Sequence, residues 1–334
     1  MLQYHFVMII VKSPLRLTFG GGGTDLPSYY TNFEGHLISA TINKYVYVSV
    51  SRPFLPGIKL NYSQTESIST IDEVNHPIIR EALHILKPTS PQIEITSFAD
   101  IPAGTGLGSS GSFTTALLVA LHQHYHVDLS TSGLAELACE IEIDKLQQPI
   151  GRQDQYTAAY GGLNSFHFAQ DGTVKVSKLK IDWEVRKKLE RNLLLFFTGY
   201  SRSANKVLAE QDMSTKSDVN NSIVKNLHRV KAMGFEAQHF LEKGDLNSFG
   251  QQMNEHWQLK KSRSHQMSNE RINHLYELGL KNGALGGKLV GAGGGGFLLF
   301  YCEYPEKLIT AMGKEGLRPL YFNFDELGTR SISV

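Results

Sequence analysis

Pro102-Ala-Gly-Thr-Gly-Leu-Gly-Ser-Ser-Gly-Ser112 is the stretch that decides the fold of this chain. An alternating strand pattern precedes it at 92–98, and apolar residues at helical spacing follow it at 113–121. A glycine loop between a strand and a helix N-terminus turns several backbone N–H groups toward an anion, and the helix dipole adds partial positive charge. The sequence therefore predicts a polyphosphate site at 102–112.

Two other kinds of phosphate loop fit the sequence less well. Gly106–Gly111 and Gly291–Gly296 both satisfy G-x-G-x-x-G, but the long loop 99–108 does not suit a dinucleotide turn, and Asp128 follows a helix where a second strand is required. A Walker P-loop is excluded because no glycine run leads into Gly-Lys-Ser or Gly-Lys-Thr. The pattern favours a third type of loop, whose paired serines offer hydroxyls to a magnesium nucleotide.

Composition and charge are those of a soluble enzyme. The chain has 33 Lys and Arg against 32 Asp and Glu, so no long-range field attracts nucleic acid or an anionic membrane. Cys139 and Cys302 form neither a disulfide framework nor a metal spacing. The N-terminal apolar run lacks a basic region, and no segment approaches the about 18 apolar residues of a membrane span. We expect a cytoplasmic monomer or homodimer that acts on small molecules, without nucleic-acid or membrane partners.

Length and patterning predict two domains of mixed α and β structure. The 334 residues exceed the about 250–300 at which a single core stops growing. A charged segment at 182–191 separates a strand-rich first half from a second half that is mostly helical, which sets the domains at 1–185 and 186–334. The predicted strands are 7–12, 45–51, 58–62, 92–98, 163–168, 173–179, 193–198, 297–302 and 319–324, and the predicted helices are 111–125, 133–147 and several within 202–282.

Three motifs in this order resemble those of the GHMP small-molecule kinases over nearly the whole chain. They are Ser13-Pro-Leu-Arg-Leu-Thr-Phe-Gly-Gly-Gly-Gly-Thr-Asp25, Pro102–Ser112 and Lys288-Leu-Val-Gly-Ala-Gly-Gly-Gly-Gly-Phe297. The block Ile150–Asn164 and the segment Gly283–Lys288 are similar to the bacterial sugar 1-kinase branch. The resemblance implies an α+β fold with an N-terminal domain like domain 2 of ribosomal protein S5, a ferredoxin-like C-terminal domain, and the active site between them.

The resemblance also implies an activity, which is transfer of the ATP γ-phosphoryl group to the C1 hydroxyl of a sugar. The implied acceptor is D-glycero-D-manno-heptose 7-phosphate, made into the 1,7-bisphosphate for nucleotide-activated heptose. Two alternatives stay open, a 1-kinase for an unphosphorylated sugar such as fucose and a catalytically silent sugar and nucleotide sensor. Plain galactokinase is disfavoured because the chain lacks Gly-Glu-His-Thr-Asp, and retention of Arg16, Glu142 and Asp154 argues against the sensor.

ATP and Mg²⁺ are the implied co-substrate and cofactor. The residues expected to bind ATP are Pro102, Gly104, Gly106, Leu107, Gly108, Ser109, Ser110 and Gly111. Ser110 is expected to reach Mg²⁺, although the serine pair could also serve only as a helix N-cap. Mg²⁺ usually takes one or two carboxylates plus substrate phosphates, and Glu142 is the candidate because its spacing from Asp154 is close to that of the metal glutamate and catalytic aspartate in mevalonate kinase. Glu136 and Glu140 are alternatives.

Asp154 is the expected catalytic base. It lies in the polar run 151–155 and, by resemblance, takes the place of the aspartate that accepts the hydroxyl proton in galactokinase-like members. Arg16 is expected beside it, stabilising charge on the transferring phosphoryl group. Because some family members work without a base, catalysis by positioning alone is the alternative.

The acceptor is expected to bind to the first and third motifs and to local basic residues. A carboxylate in the Gly-Gly-Thr-Asp segment can accept bonds from two sugar hydroxyls, and a 7-phosphate needs cationic partners. The expected acceptor residues are Gly23, Thr24, Asp25, Arg202, Lys206, Lys260, Lys261, Gly293 and Gly294, with Arg263 nearby. Basic residues in such runs are often only solvated surface. A metal site at His122, His124 and His126 is disfavoured because only the first and last share a helix face.

Overall fold

Two sheets, with twelve strands in all, organise the part of the chain that the computed structural model describes, which is residues 8–88, 92–199, 208–210, 212, 213, 215, 222–263 and 267–332. The strands are β1 (Ile9–Gly20), β2 (Gly35–Ser51), β3 (Gly57–Asn61), β4 (Thr65–Ile68), β5 (Gln92–Ala99), β6 (Leu163–Phe168), β7 (Val174–Lys178), β8 (Leu193–Phe197), β9 (Gly286–Leu289), β10 (Phe297–Tyr301), β11 (Pro319–Leu320) and β12 (Arg330–Ile332). The first sheet has the order β12-β1-β2-β5-β3-β4, and β6 and β7 extend from β2. The second sheet has the order β11-β8-β10-β9.

Helices pack on both sheets. They are α1 (Pro27–Phe33), α2 (Pro77–Leu86), α3 (Ser109–His124), α4 (Thr131–Cys139), α5 (Gln153–Tyr160), α6 (Trp183–Asn192), α7 (Ser222–Lys243), α8 (Leu246–Lys261), α9 (Glu270–Lys281) and α10 (Pro305–Lys314). A 3₁₀ turn spans Ile71–Glu73, and a π-helical turn at Glu140–Lys145 continues α4. The predicted α+β class is confirmed.

The predicted elements agree with the structure except at a few positions. The charged segment 182–191, which was expected to separate the two halves of the chain, forms α6, whose Leu189 and Asn192 are buried. The predicted helix 133–147 is correct only in its first half, since α4 ends at Cys139 and the chain continues as the π turn. The predicted strand 319–324 is a strand only at Pro319–Leu320. The sequence patterns also missed α1, α2, α10, β4, β9, β12 and the first ten residues of β2.

The core between the sheets is built around β1. Leu17 and Phe19 of β1 belong to one apolar cluster with Phe249 of α8 and Leu299 of β10, and the rings of Phe19 and Phe249 meet edge to face at 5.5 Å. At about 25 cal/mol per Å² of buried apolar area, such a shared cluster holds the two sheets together. A site between the sheets is therefore fixed by the core itself.

The last described strand returns to the first sheet. β12 pairs antiparallel with β1, with Ile332 opposite Ile10. The division at 185/186 stays a prediction, and the pairing means that the two sheets do not divide the chain at a single point. None of the helices among the described residues is both long and apolar enough to span a membrane.

Candidate active site

A cavity of about 730 Å³ lies where the two sheets meet. One wall comes from the first glycine motif and the phosphate loop, and a second from the π turn and the start of α5. The third wall comes from α8, β9 and the start of the last glycine motif. Three segments that are far apart in the sequence thus face one space.

The phosphate loop has the backbone that its glycines predict. Gly104, Gly106 and Gly108 have φ values of 77°, 85° and 77°, a region that side-chain-bearing residues rarely adopt. Gly108 is the N-cap of α3 and offers no side-chain cap, so the first N–H groups of the helix are free for an anion. All the expected ATP-loop residues line the cavity except Leu107, which is fully buried.

The third glycine motif packs directly under this loop. A Cβ on Gly106 would lie 2.5 Å from the Val290 carbonyl oxygen, and one on Gly291 would lie 2.4 Å from the Gly106 Cα. Gly291 lines the cavity, but Gly293 and Gly294 pack against Met267 and do not line it. The structure therefore brings the motif to the site mainly as packing, and a contact of Gly293 and Gly294 with substrate stays a prediction.

Arg16 and Asp154 form a bidentate ion pair inside the cavity. Arg16 Nε and Nη2 donate to the two carboxylate oxygens at 2.8 and 3.0 Å, and Arg16 Nη1 donates to the Gly106 carbonyl oxygen. The backbone N–H of Arg16 also donates to the Leu107 carbonyl oxygen at 2.9 Å, just after a bulge in β1 at Pro14. Arg16 thus ties the phosphate loop to the carboxylate at the start of α5.

Glu142 is fully buried and faces the same cavity from the π turn. Gln155 Nε2 donates to Glu142 Oε1 at 2.9 Å, and Ser110 Oγ donates to Oε2. Burial raises the pKa of Glu142, and hydrogen bonds with the neutral side chains of Ser110, Gln155 and Thr114 partly offset this rise. The alternatives are not in the cavity, since Glu136 contacts Tyr156 and Glu140 pairs with Lys145 at 3.5 Å.

This donor set fits a hard divalent cation. Mg²⁺ prefers oxygen ligands and shares them with substrate phosphates, so it needs few carboxylates from the protein. The serine hydroxyl and the buried carboxylate lie at the N-terminal end of α3, next to the phosphate loop. The described residues contain no cluster of three or more His, Cys, Asp and Glu side chains with metal-site geometry. His122 instead lies with Nδ1 2.8 Å from the Leu118 carbonyl oxygen.

Asp25 lies in the cavity wall, close enough to Asp154 to be affected by its charge. Its carboxylate accepts from the backbone N–H of Gly23 at 3.1 Å and of Gln153 at 3.2 Å. Burial raises the pKa of Asp25, and the charge of Asp154 raises it further. Asp25 and Gly23 line the cavity, whereas Thr24 is buried and donates to the carbonyl oxygens of Gly21 and His36.

A cluster of basic side chains lines the cavity wall that α8 and β9 form beside the phosphate loop, and we call it the basic cluster. It consists of His256, Lys260, Arg263 and Lys288. Lys260 donates to the Leu289 carbonyl oxygen at 3.0 Å and to that of Gly291. Lys288 donates to the Phe19 carbonyl oxygen at 3.0 Å and lies 3.3 Å from His256 Nδ1.

The basic cluster lacks a carboxylate partner within the described residues. Burial lowers the pKa of Lys260 to about 7, and the charges of Arg263 and Arg16 lower it further. Burial also places the pKa of Lys288 and of His256 well below their usual ranges. Because buried cations are costly without a counter-charge, a cavity wall of this kind suits an anionic ligand.

Not all the predicted basic residues belong to this cluster. Lys261 lies with its ammonium 5.7 Å from the centre of the Trp257 ring and 5.9 Å from that of Tyr276, outside the cavity. Arg202 and Lys206 lie outside the described residues. The sequence gave Lys288 no ligand role beyond its motif, and it did not point to His256, Gln153 or Gln155 as site residues. Gln153 and Gln155 flank Asp154 in the block Ile150–Asn164.

A group of aromatic side chains, which we call the aromatic wall, also lines the cavity, and the sequence did not predict it. Its members include Tyr62, His76, Phe98 and Phe113, with ring centres 4.9 Å apart for Tyr62 and His76 and 5.0 Å apart for His76 and Phe113. Burial lowers the pKa of His76, so its ring is neutral at pH 7. A neutral aromatic slot next to a phosphate loop suits the flat face of a nucleobase.

Comparison with known proteins gives matches in both halves of the chain. The GHMP kinases N terminal domain matches residues 77–162, and the GHMP kinases C terminal domain matches residues 237–316. The chain is 29% identical to D-glycero-alpha-D-manno-heptose 7-phosphate kinase of Campylobacter jejuni, over 97% of this chain and 98% of that protein. It is also 29% identical to the bifunctional fucokinase/GDP-fucose pyrophosphorylase of Arabidopsis thaliana, over 89% of this chain and 30% of that protein.

Two solved structures of sugar kinases are also similar to this chain over nearly its whole length. A D-glycero-D-manno-heptose 1-phosphate kinase from Bacteroides thetaiotaomicron superposes with a TM-score of 0.81 at 25% identity, over 98% of this chain and 99% of that one. A putative sugar kinase from Campylobacter jejuni superposes with a TM-score of 0.78 at 27% identity, over 99% and 100% of the two chains.

Proposed function

We propose that this chain, which belongs to the GHMP kinase family, is a sugar kinase that uses ATP to phosphorylate the C1 hydroxyl of D-glycero-D-manno-heptose 7-phosphate. The observation that carries the proposal is the shared cavity of the phosphate loop, the Arg16–Asp154 pair and the basic cluster. A phosphate loop with a neighbouring carboxylate suits phosphoryl transfer to a hydroxyl. A second, carboxylate-free basic site in the same cavity favours an acceptor that already carries a phosphate.

The phosphate loop and the aromatic wall hold ATP in this proposal. The free N–H groups at the start of α3 bind the phosphates, and the neutral wall around His76 takes the base. Glu142 and Ser110 would hold Mg²⁺. When bound, the cation neutralises charge on the β- and γ-phosphates.

Transfer then proceeds by in-line displacement. The C1 oxygen of the sugar attacks the γ-phosphorus while the bond from that phosphorus to the β–γ bridging oxygen breaks, and ADP leaves with the electron pair. Asp154 accepts the proton of the C1 hydroxyl. Arg16, which already contacts Asp154 and the loop, stabilises the charge that spreads over the transferring group.

The acceptor lies between Asp25 and the basic cluster. Asp25 binds sugar hydroxyls. Because Asp25 is buried, a sugar that lacks one of these hydroxyls would leave the carboxylate unpaired and bind more weakly. The 7-phosphate binds to Lys260, Arg263 and Lys288. Its two negative charges balance these cations, which have no carboxylate partner among the described residues. Such a reaction belongs in the cytoplasm, where ATP and sugar phosphates occur.

A 1-kinase for a neutral sugar is the second candidate. Its support is the match to the bifunctional fucokinase/GDP-fucose pyrophosphorylase of Arabidopsis thaliana at the same 29% identity. This reading leaves the basic cluster without a ligand. The two candidates therefore differ in one measurable respect, which is whether turnover needs a phosphate on the acceptor.

Release of ADP from magnesium ATP across a panel of acceptors tests the proposal. The panel contains D-glycero-D-manno-heptose 7-phosphate, sedoheptulose 7-phosphate, mannose 6-phosphate, fucose, galactose and mannose. We expect turnover with the heptose phosphate well above the rate of ATP hydrolysis without acceptor. Turnover with fucose alone would support the neutral-sugar kinase, and silence across the panel would support a sensor.

A further inference from the structure

Gln155 is a buried residue that the proposed mechanism leaves without a role. Its side chain has no exposed surface and lines the cavity from the first turn of α5. Nε2 donates to Glu142 Oε1 at 2.9 Å, but Oε1 is buried and has no hydrogen-bond partner within the described part of the chain. Buried side-chain oxygens are normally satisfied, so the unpaired Oε1 indicates that the contact of Nε2 with Glu142 decides how this amide is oriented.

The orientation of this amide is fixed by its neighbour. Reversing it would place Gln155 Oε1 against Glu142 Oε1, two acceptors with no proton between them. The carboxylate therefore holds Nε2 on its own side and leaves the amide oxygen directed elsewhere. The orphan oxygen is thus a consequence of the contact with Glu142.

Glu142 needs external support because of where it lies in the chain. It belongs to the π turn Glu140–Lys145, whose backbone is not held in the regular α-helical pattern. Ser110 from α3 fixes one carboxylate oxygen, and Gln155 from α5 fixes the other. With the Thr114 hydroxyl of α3 as a further partner, side chains of two different helices set the position and the plane of the carboxylate.

We infer that Gln155 is a positioning residue that orients Glu142 for the divalent cation which Glu142 and Ser110 would hold. The inference rests on the proposed function, since it requires Glu142 to be the carboxylate of the metal site. Gln155 directly follows Asp154 on α5, so one helix start orients the metal carboxylate and carries the base. A shift of α5 changes both groups together.

Binding of Mn²⁺ in the presence of ADP tests this without turnover. Mn²⁺ takes the same oxygen ligands as Mg²⁺ and is followed by the electron paramagnetic resonance signal of the free ion. Gln155→Met keeps the length and burial of the side chain and removes both polar atoms. We expect a loss of about 10- to 100-fold in Mn²⁺ affinity, as for other groups that orient metal ligands, with ADP affinity in EDTA unchanged.

Thr157→Val is the matched control. Thr157 lies on the same helix, is fully buried, and has an orphan Oγ1, but it does not line the cavity. This variant should bind Mn²⁺ as wild type does. An equal loss in both variants would show a general disturbance of α5 and overturn the inference.

The remaining outcomes are separable from failure of the proposed function. If wild type binds Mn²⁺ with ADP and Gln155→Met binds it equally well, Gln155 has no positioning role and the proposed function stands. If wild type binds no Mn²⁺ with ADP, the metal site itself is wrong. Should Gln155→Met fail to fold, Gln155→Asn, which keeps an amide too short to reach Glu142, must show the same loss of Mn²⁺ affinity.

Discussion

Substitution by methionine should raise the acceptor KM at one of two adjacent lysines and leave it unchanged at the other. Lys260 lines the cavity, whereas Lys261 lies over the Trp257 ring outside it. Lys260→Met removes one charge-assisted bond to the acceptor phosphate, and bonds to charged groups contribute about 1.5–3 kcal/mol. That range corresponds to an increase of about 10- to 150-fold in KM for the phosphorylated acceptor. Lys261→Met should leave KM within about twofold of wild type.

The assay is initial-rate release of ADP with D-glycero-D-manno-heptose 7-phosphate as the varied substrate. The KM for ATP has to be measured in parallel, because Lys260 also donates to the carbonyl oxygens of Leu289 and Gly291 beside the phosphate loop. A rise confined to the acceptor KM agrees with the proposal. Equal effects of the two substitutions, or a parallel rise in the KM for ATP, would refute the assignment of Lys260 to the acceptor phosphate.

Three further predictions concern the base, the pH dependence and the loop. Asp154→Asn should lower turnover by about 10² to 10⁴ with ADP affinity kept, as checked by single-turnover kinetics and titration calorimetry, and near-normal turnover would favour catalysis by positioning through Arg16. The pKa of Lys260 is lowered to about 7, and a bound phosphate favours its charged form. Because Lys260 loses its charge as the pH rises above 7, the KM for the acceptor should rise by up to about tenfold per pH unit. This rise should be absent in Lys260→Met. Gly106→Ala requires alanine to adopt a φ of 85° and puts its Cβ only 2.5 Å from the Val290 carbonyl oxygen, so the phosphate loop should be distorted. Nucleotide should then no longer raise the melting temperature of this variant. A rise equal to that of wild type would contradict the close packing of Gly106 against Val290.

The phosphate loop could be predicted because its signal is local. A loop that needs positive φ values requires glycine at positions such as 104 and 108, and these glycines can be recognised in the sequence. The apolar spacing of α3 can be recognised in the same way. The proximity of Arg16 and Asp154, 138 positions apart, came from resemblance to a family and not from any local pattern. Long-range pairs of this kind depend on how strands and helices pack, which a single sequence does not contain.

Two parts of the site show why the rest was not predictable. The side that a lysine takes at the end of α8 depends on the exact phase of the helix, so the sequence could not separate Lys260 from Lys261. The π turn that presents Glu142 adds a residue to a helical turn, and its sequence carries the same apolar spacing as an ordinary helix. His256 follows no motif, and only its place beside Lys288 shows that it belongs to the cavity.

Identification of the product tests the central claim most directly. D-glycero-D-manno-heptose 7-phosphate, magnesium ATP and the purified protein are combined, and the products are followed by ³¹P nuclear magnetic resonance. The account predicts one new phosphate signal coupled to the anomeric proton, retention of the 7-phosphate signal, and one ADP for each product molecule. Hydrolysis of ATP without a new sugar phosphate, or a phosphate at a position other than C1, would contradict it.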